Sequence, residues 1–370
     1  MTVRWLPTPS QTLLLQAALL TGQPAENAFS QWRSTVDLDH IEGGSFRLLP
    51  LLLRSIETRG DTHPSLDRIR GIYRRSVYTS TILRSMAESV LVALEHRGVH
   101  PVVVNGAAIA HLAYNDCPTR PLGDVDLFVT PQEFTHALGV IEQLGFVATG
   151  ARRDAEHGVS TIVETALSRG PAEKLRLHTT LRGFGLDPRF DRRALGRASV
   201  HPEGHVHRTL DPTDHLLRTL SSAPHDRPIP NCRWAADATL LIRNAGPIDW
   251  PRLSDDADVL GVTLGIREAL AYLDDDLKLG LPTEARSALD ATRVSPFDRL
   301  RHWAQSTPAT RRSGVVRVLL TDYRVHTAGS PRHRGITNYP GYLANRITER
   351  KHSGGRSLFH ALRHGPQRSG

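Results

Sequence analysis

Apolar residues recur at helical spacing through the first hundred positions. The run Leu13 to Leu20 and the series Ile72, Val77, Ile82, Met86, Val90 and Leu94 each predict one buried helical face, and Gly98 ends the second as a C-cap. The pattern then changes period. Pro101-Val102-Val103-Val104 is a short β-branched run, Asn105-Gly106 bends the chain, and Ala107 to Leu112 has helix-forming composition, which together predict strand, tight turn and helix. Val125 to Val129 predicts a second strand. Thr130-Pro131-Gln132-Glu133 after it is a helix start, with Thr as N-cap, Pro at the first position and Glu as capping-box partner, and that helix runs to about Leu144 before Gly145. Phe146 to Ala148, Ser160 to Thr165 and Lys174 to Thr179 predict further strands of one small mixed sheet. Asp211-Pro212-Thr213-Asp214 opens a second helical region, continued by Trp234 to Leu241, Pro251 to Leu260 and Val262 to Leu273 and ending near Pro282. The expected organisation is a helical region over 1–98, an α/β core over 99–182, a helical domain over 183–325 and a basic tail over 326–370.

Composition narrows the class without changing that layout. Hydrophobic residues at 39% and charged residues at 23%, with no biased tract, describe a soluble globular chain, and 370 residues exceed what one core usually holds. The Leu13 to Leu20 run is too short to span a membrane, and the start, with one Arg before Pro7, does not read as a signal peptide. Two cysteines without CxxC spacing fit a reducing cytoplasm and exclude a disulfide framework or zinc knuckle. The net charge of +8 is concentrated at one end: from Arg332 onward eight Lys or Arg face one acid, Glu349. The body is therefore close to neutral. The tail reads first as a solvated end and second as an RNA-binding segment.

The chemistry gathers at Asp124-Val125-Asp126. Strand alternation puts both carboxylates on one face and Val125 with Leu127 on the other, and two aligned carboxylates suit a hard cation such as Mg²⁺, with Mn²⁺ as a substitute. The turn Asn105-Gly106-Ala107 offers free N–H groups at a helix N-terminus, which suit phosphate. Either feature alone is common: a DxD is more often a solvated turn, and GA after a strand arises by chance.

Their combination resembles a known family. Val102-Val103-Val104-Asn105-Gly106-Ala107-Ala108, followed by Arg120-Pro121-Leu122-Gly123-Asp124-Val125-Asp126-Leu127-Phe128-Val129, is similar to the uncharacterised nucleotidyltransferases of the DNA polymerase β superfold. Leu175-Arg176-Leu177-His178, Leu210-Asp211-Pro212, Arg233-Trp234-Ala235-Ala236-Asp237 and Ile248-Asp249-Trp250 extend the likeness over roughly Arg74 to Pro282. The resemblance implies an α+β nucleotidyltransferase core flanked by helical regions. It further implies an Mg²⁺-dependent enzyme that moves a nucleoside monophosphate, by default AMP, from a nucleoside triphosphate to a hydroxyl-type acceptor, whether small molecule, peptide or protein.

Asp124 and Asp126 are then the metal ligands, Gly106 and Ala107 frame the phosphates, and Arg120 adds positive charge. Three positions depart from the family pattern. Asn105 stands where the family has lysine, Thr179 follows His178 in place of an aromatic, and Arg176 replaces the acid that would complete the metal site and act as base. Glu164 is the substitute acid if its strand pairs suitably. His178 shares a face with Arg176, where it contacts phosphate, orients a carboxylate or is a hydrogen-bonded His without a catalytic task. These departures leave a nucleotide-binding module with impaired transfer as the main alternative, and an RNA- or tRNA-directed transferase of toxin type as a further one. His201, His205 and His207 flank Pro202 and Gly204 and read as a surface hairpin rather than a metal cluster. Trp234 reads as core, Asp237 as a structural hydrogen-bonder, and Asp274-Asp275-Asp276 as a solvated turn.

Overall fold

A computed structural model describes residues 5–60, 66–114, 117–149, 164–179, 188–200, 207–223, 231–296, 298–299 and 302–303. The basic tail, His201, His205 and residues 160–163 of an expected strand lie outside them. The helices α1 (Pro9–Leu19), α2 (Gly22–Thr35), α3 (Gly43–Phe46), α4 (Leu49–Arg59) and α5 (Leu66–Glu95) come first. The chain then alternates through β1 (Val102–Val104), α6 (Asn105–Ala113), β2 (Val125–Phe128), α7 (Phe134–Gln143), β3 (Val147–Ala148), β4 (Glu164–Ser168), β5 (Lys174–His178), α8 (Pro188–Arg197), β6 (Ser199–Val200) and β7 (Arg208–Thr209). It continues in α9 (Pro212–Ser221), α10 (Arg233–Asn244), α11 (Trp250–Leu260), α12 (Thr263–Asp275) and α13 (Thr283–Ala291). This is the α+β architecture expected. Among the described residues no helix is long and apolar enough to cross a membrane.

The strands form one mixed sheet in the order β3-β4-β5-β2-β1-β7-β6, with β2 parallel to β5 and β1 parallel to β7. Its two faces carry different chemistry, because alternation along β2 sends successive side chains opposite ways. Val125, Leu127, Leu175 and Leu177 pack with Leu83, Met86 and Val90 of α5 and Phe134, Ala137 and Ile141 of α7. Val102, Val104 and Phe128 face the other way into the larger core, which holds Leu14, Leu52, Leu216, Trp234 and Ile266 together. The carboxylate of Asp126 lies on this second side, beneath the helices that follow the sheet.

The N-terminal and C-terminal helices share that core. Trp5 and Tyr272 both pack on Trp234, at centroid separations of 5.7 and 5.9 Å, and Thr12 hydrogen-bonds the Tyr272 hydroxyl at 2.9 Å. Helices over 1–98 and beyond 183 therefore bury one another, and Trp234 is a core residue as expected.

Local sequence signals set most element ends. Gly98 takes φ +73° after α5, and its N–H and that of Val99 close on the Glu95 and Leu94 carbonyls. Asp211 caps α9 through the Thr213 N–H at 2.9 Å, with Pro212 at the first position. The Thr130–Glu133 capping box forms, but 131–133 is a tight turn and the helix proper starts at Phe134.

Three expectations change. Strand β4 continues to Ser168, beyond the expected end at Thr165, because Ala166, Leu167 and Ser168 find partners in Arg176, Leu175 and Lys174. The sheet also extends past residue 182: β6 and β7 pair antiparallel on either side of 201–206, where the expected hairpin with His201 and His205 lies outside the described residues, and β7 adds the pair to the edge of β1. Asp274 is nearly buried rather than solvated. Its Oδ1 accepts the Gly280 and Leu281 N–H groups at 2.9 and 3.0 Å, and Arg286 pairs with Oδ2, so it closes the turn after α12.

Candidate active site

The site begins at the bend between β1 and α6. Asn105 has φ +59°, in the left-handed region that Asn tolerates better than most non-glycine residues, and this lets the chain turn from strand directly into helix. The turn brings the first N–H groups of α6 beside β2, whose Asp126 pairs in register with Val104. The Asn105 side chain lies beside the Asp126 carboxylate and favours its charged form, and its Oδ1 accepts from Nε of Arg218 on α9. Asp124, Asp126, Asn105 and Gly106 thus line one cleft of about 230 Å³, closed on its helical side by Arg218 and Arg233.

Asp126 is 3% exposed and tightly held. His178 Nε2 donates to its Oδ1 at 2.7 Å, and Nε of Arg176 lies 3.1 Å from the same oxygen. Burial alone would raise this carboxyl. The His178 hydrogen bond and charge, then Arg176 and Asn105, outweigh burial and bring it down to about 2. Of the readings open for His178, the structure therefore places it on a carboxylate, whose orientation it fixes.

Arg176 stands beside Asp126 because β2 and β5 run parallel with Asp126 opposite Arg176. Its Nη2 also meets Asp124 Oδ2 at 2.7 Å, so one guanidinium spans both carboxylates. Desolvation lowers the Arg176 pKa, but the two acids raise it further, and it stays a cation. Asp124 itself is one-third exposed at the cleft mouth. Glu164, the substitute acid, has its backbone opposite His178 on β4, two strands from β2 and in line with Phe128 rather than Asp126. The adjacent-strand position belongs to Arg176, and the Glu164 side chain lies outside the described residues. Among the described residues no three acidic, histidine or cysteine side chains converge as a metal cluster.

Arg120, expected to add positive charge at the site, lines the cleft beside Gly106 and is paired there. Its Nε and Nη2 donate to Asp237 at 2.8 and 2.7 Å, both side chains are under 10% exposed, and the Tyr114 hydroxyl donates to the same carboxylate at 2.7 Å. Burial raises the Asp237 pKa, but Arg120 outweighs it and the group ends below its ordinary value; Tyr114 is pushed well up, chiefly by burial. Asp237 is thus the structural hydrogen-bonder expected.

The remaining Arg120 nitrogen, Nη1, sits where a side chain on Gly106 would go, 2.8 Å from an added Cβ. The glycine makes room for a locked guanidinium. Gly106→Ala should therefore destabilise the chain: overpacking costs about 1–3 kcal/mol, against roughly 1 kcal/mol of helix propensity gained. A urea titration measures this, and a variant as stable as the parent would mean that Arg120 yields freely.

Two features of the site have weak sequence signals. Arg218 reaches Asn105 from α9, where it is one cation among Leu216, Leu217 and Leu220. Arg233 and Asp237 are four residues apart on α10, and that spacing alone places them on one helical face.

With this geometry in view, comparisons with known proteins place the chain. No curated protein matches it. Among solved structures, the solution structure of the antibiotic-resistance factor ANT(2'')-Ia is 15% identical, aligns over 53% of this chain and 97% of its own, and gives a TM-score of 0.33. The crystal structure of an antigenic nucleotidyltransferase-like protein from Paracoccidioides brasiliensis is 18% identical over 59% of this chain and 94% of its own, with a TM-score of 0.36. A family profile described as uncharacterised nucleotidyltransferase matches residues 45–275, which takes in the bend, both aspartates, Arg176, His178 and the helical wall of the cleft. The chain belongs to this family of uncharacterised nucleotidyltransferases.

Proposed function

We propose that the cleft binds a nucleoside triphosphate and that the protein transfers its nucleoside monophosphate, with AMP as the default, to a hydroxyl-type acceptor with release of pyrophosphate. The observation that carries this reading is the convergence of Asp124, Asp126 and the α6 N-terminus on one cleft, with Asn105 beside Asp126. The donor set suits Mg²⁺, a cation that takes oxygen ligands from one or two carboxylates and substrate phosphates. The pair is already configured for positive charge, since Arg176 spans it, and Arg176 is exposed enough to move aside. Asp124 and Asp126 would hold the ion, which when bound supplies Lewis-acid polarisation of the reacting phosphate and neutralises charge on the leaving pyrophosphate.

The chain's own groups do the rest. His178 and Asn105 hold Asp126 ionised and in one orientation. The N–H groups of the first turn of α6 face phosphate oxygens, with Ala107 behind them and Arg218 bringing the positive charge that Asn105 lacks. The acceptor enters between the sheet and α9–α10, where the cleft opens.

One observation favours a second reading, a nucleotide-binding module with impaired transfer: Arg176 fills the adjacent-strand position of the missing acid and pairs with both aspartates. Incubation with each labelled nucleoside triphosphate, Mg²⁺ and a cell extract separates the two. Transfer of label to an acceptor is the expected result; binding without transfer across all acceptors selects the impaired module. Arg176→Ala adds a second readout. If Arg176 competes with the metal, removing it tightens Mg²⁺ binding in calorimetry on the order of tenfold, equivalent to about 1.4 kcal/mol. Absence of Mg²⁺ binding in both parent and variant would remove the metal from the proposal.

A further inference from the structure

The charges that line the cleft do not balance locally. Arg120 is matched by Asp237, and Arg176 takes both Asp124 and Asp126. Arg233, at the start of α10, has no carboxylate within ion-pair distance among the described residues. Its Nη1 donates to the Pro121 carbonyl at 3.2 Å, a neutral acceptor, and among the described residues no side chain accepts from the rest of its guanidinium. Like charge lies close to it: burial first, then Arg120, push its guanidinium down to about 10, with Arg47 adding to the effect and Asp237, beyond ion-pair distance, opposing it. A half-buried cation on a cleft wall beside other guanidiniums favours an anion that joins it. The N-terminal end of α10 adds its partial positive charge at the same place, although the Arg233 N–H itself is taken by the Asn231 side chain at 3.4 Å.

We propose that Arg233, supported by Arg218 on the neighbouring helix, forms a phosphate-binding wall on the helical side of the cleft, separate from the two carboxylates. Its ligand is a phosphate-type oxyanion, because a planar guanidinium beside a helix N-terminus matches paired phosphate oxygens. That anion is either the polyphosphate end of the nucleotide or a phosphate carried by the acceptor. The second case would make the acceptor a phosphorylated molecule, which deepens the transfer reading and rests on it; the anion site itself does not.

The test is binding of inorganic tripolyphosphate, ATP and inorganic phosphate to the full chain in EDTA, where neither metal nor transfer contributes. The parent is compared with Arg233→Met and Arg233→Lys, and far-UV circular dichroism with thermal unfolding checks the fold of each. Tripolyphosphate should weaken roughly tenfold or more in Arg233→Met, with partial recovery in Arg233→Lys, and it should raise the melting temperature of the parent but not of Arg233→Met. If ATP weakens in parallel, the wall holds the nucleotide's phosphates. If ATP is unchanged while tripolyphosphate and phosphate weaken, it holds a phosphorylated acceptor. Unchanged tripolyphosphate binding in both variants overturns the proposal and reduces Arg233 to a tether for the Pro121 loop, whatever becomes of transfer activity. Should Arg233→Met fail to fold, Arg233→Lys alone decides: anion binding equal to the parent's overturns the site, and binding weakened in a folded variant supports it.

Discussion

Asp126→Asn is expected to lower nucleotide transfer by about 100-fold or more while leaving the chain folded at neutral pH. The magnitude follows from removing one of the two carboxylates proposed to hold the cation that would stabilise charge on the reacting phosphate, and a placed electrostatic group of that kind is worth on the order of 10²–10³ in rate. Asparagine keeps the shape and can still accept one hydrogen bond from His178 Nε2, now 2.7 Å from Asp126 Oδ1. It cannot neutralise Arg176, which would shift toward Asp124. Asp124→Asn provides the comparison: its carboxylate is more exposed and touches Arg176 alone among the charged groups, so it should lose activity with little change in stability. Transfer in Asp126→Asn equal to the parent's would remove this carboxylate from the mechanism.

The same variant has a pH signature. The Asp126 carboxyl titrates near 2 in the folded chain against 3.8 ordinarily, so it binds its proton more weakly folded than unfolded. Its contribution, roughly 2 kcal/mol from that difference, is present above pH about 4 and is lost as pH falls toward 2. Denaturation followed across this window should show a shallower acid limb in Asp126→Asn than in the parent. Identical limbs would mean that the His178 and Arg176 contacts do not hold in solution.

How far such a site can be read without coordinates depends on the range of the interactions that build it. The β1 bend, the alternation that turns Asp124 and Asp126 one way, and the caps at Asp211 and Gly98 are set by neighbours a few residues apart, and all were legible. Asp237 was assignable as a structural partner, but its partner was not: Arg120 lies 117 positions earlier and meets it only because α10 packs against the loop before β2. Arg176 shows the limit most clearly. Its sequence reads as the loss of an acid. Only the parallel register of β2 with β5 reveals a cation laid across the two acids that remain. The outer edge of the sheet is hidden from the sequence for the same reason, since β7 pairs with a strand about a hundred residues upstream.

Asp237→Ala is expected to destabilise the chain by about 3–5 kcal/mol, the range for breaking a buried ion pair from one side. The loss strands three groups together: Arg120, whose two nitrogens point at the removed oxygens, the buried Tyr114 hydroxyl, and Arg233, for which Asp237 is the nearby opposing charge. Arg120→Met combined with Asp237→Leu should recover much of the stability, because the main penalty lies in the unpaired charge rather than in the absence of the pair. Chemical denaturation of the two single variants and the double one measures this, and a double variant as unstable as the sum of the singles would refute it.

The pair also fixes the cleft floor, which gives the experiment a second arm. Arg120 Nη1 is held against Gly106 only while Asp237 anchors the other two nitrogens. With Arg120 replaced by the more flexible Met beside Asp237→Leu, an alanine at position 106 should cost clearly less than it does in the parent. Equal costs in both backgrounds would mean that Gly106 is required by its backbone and not by the arginine above it.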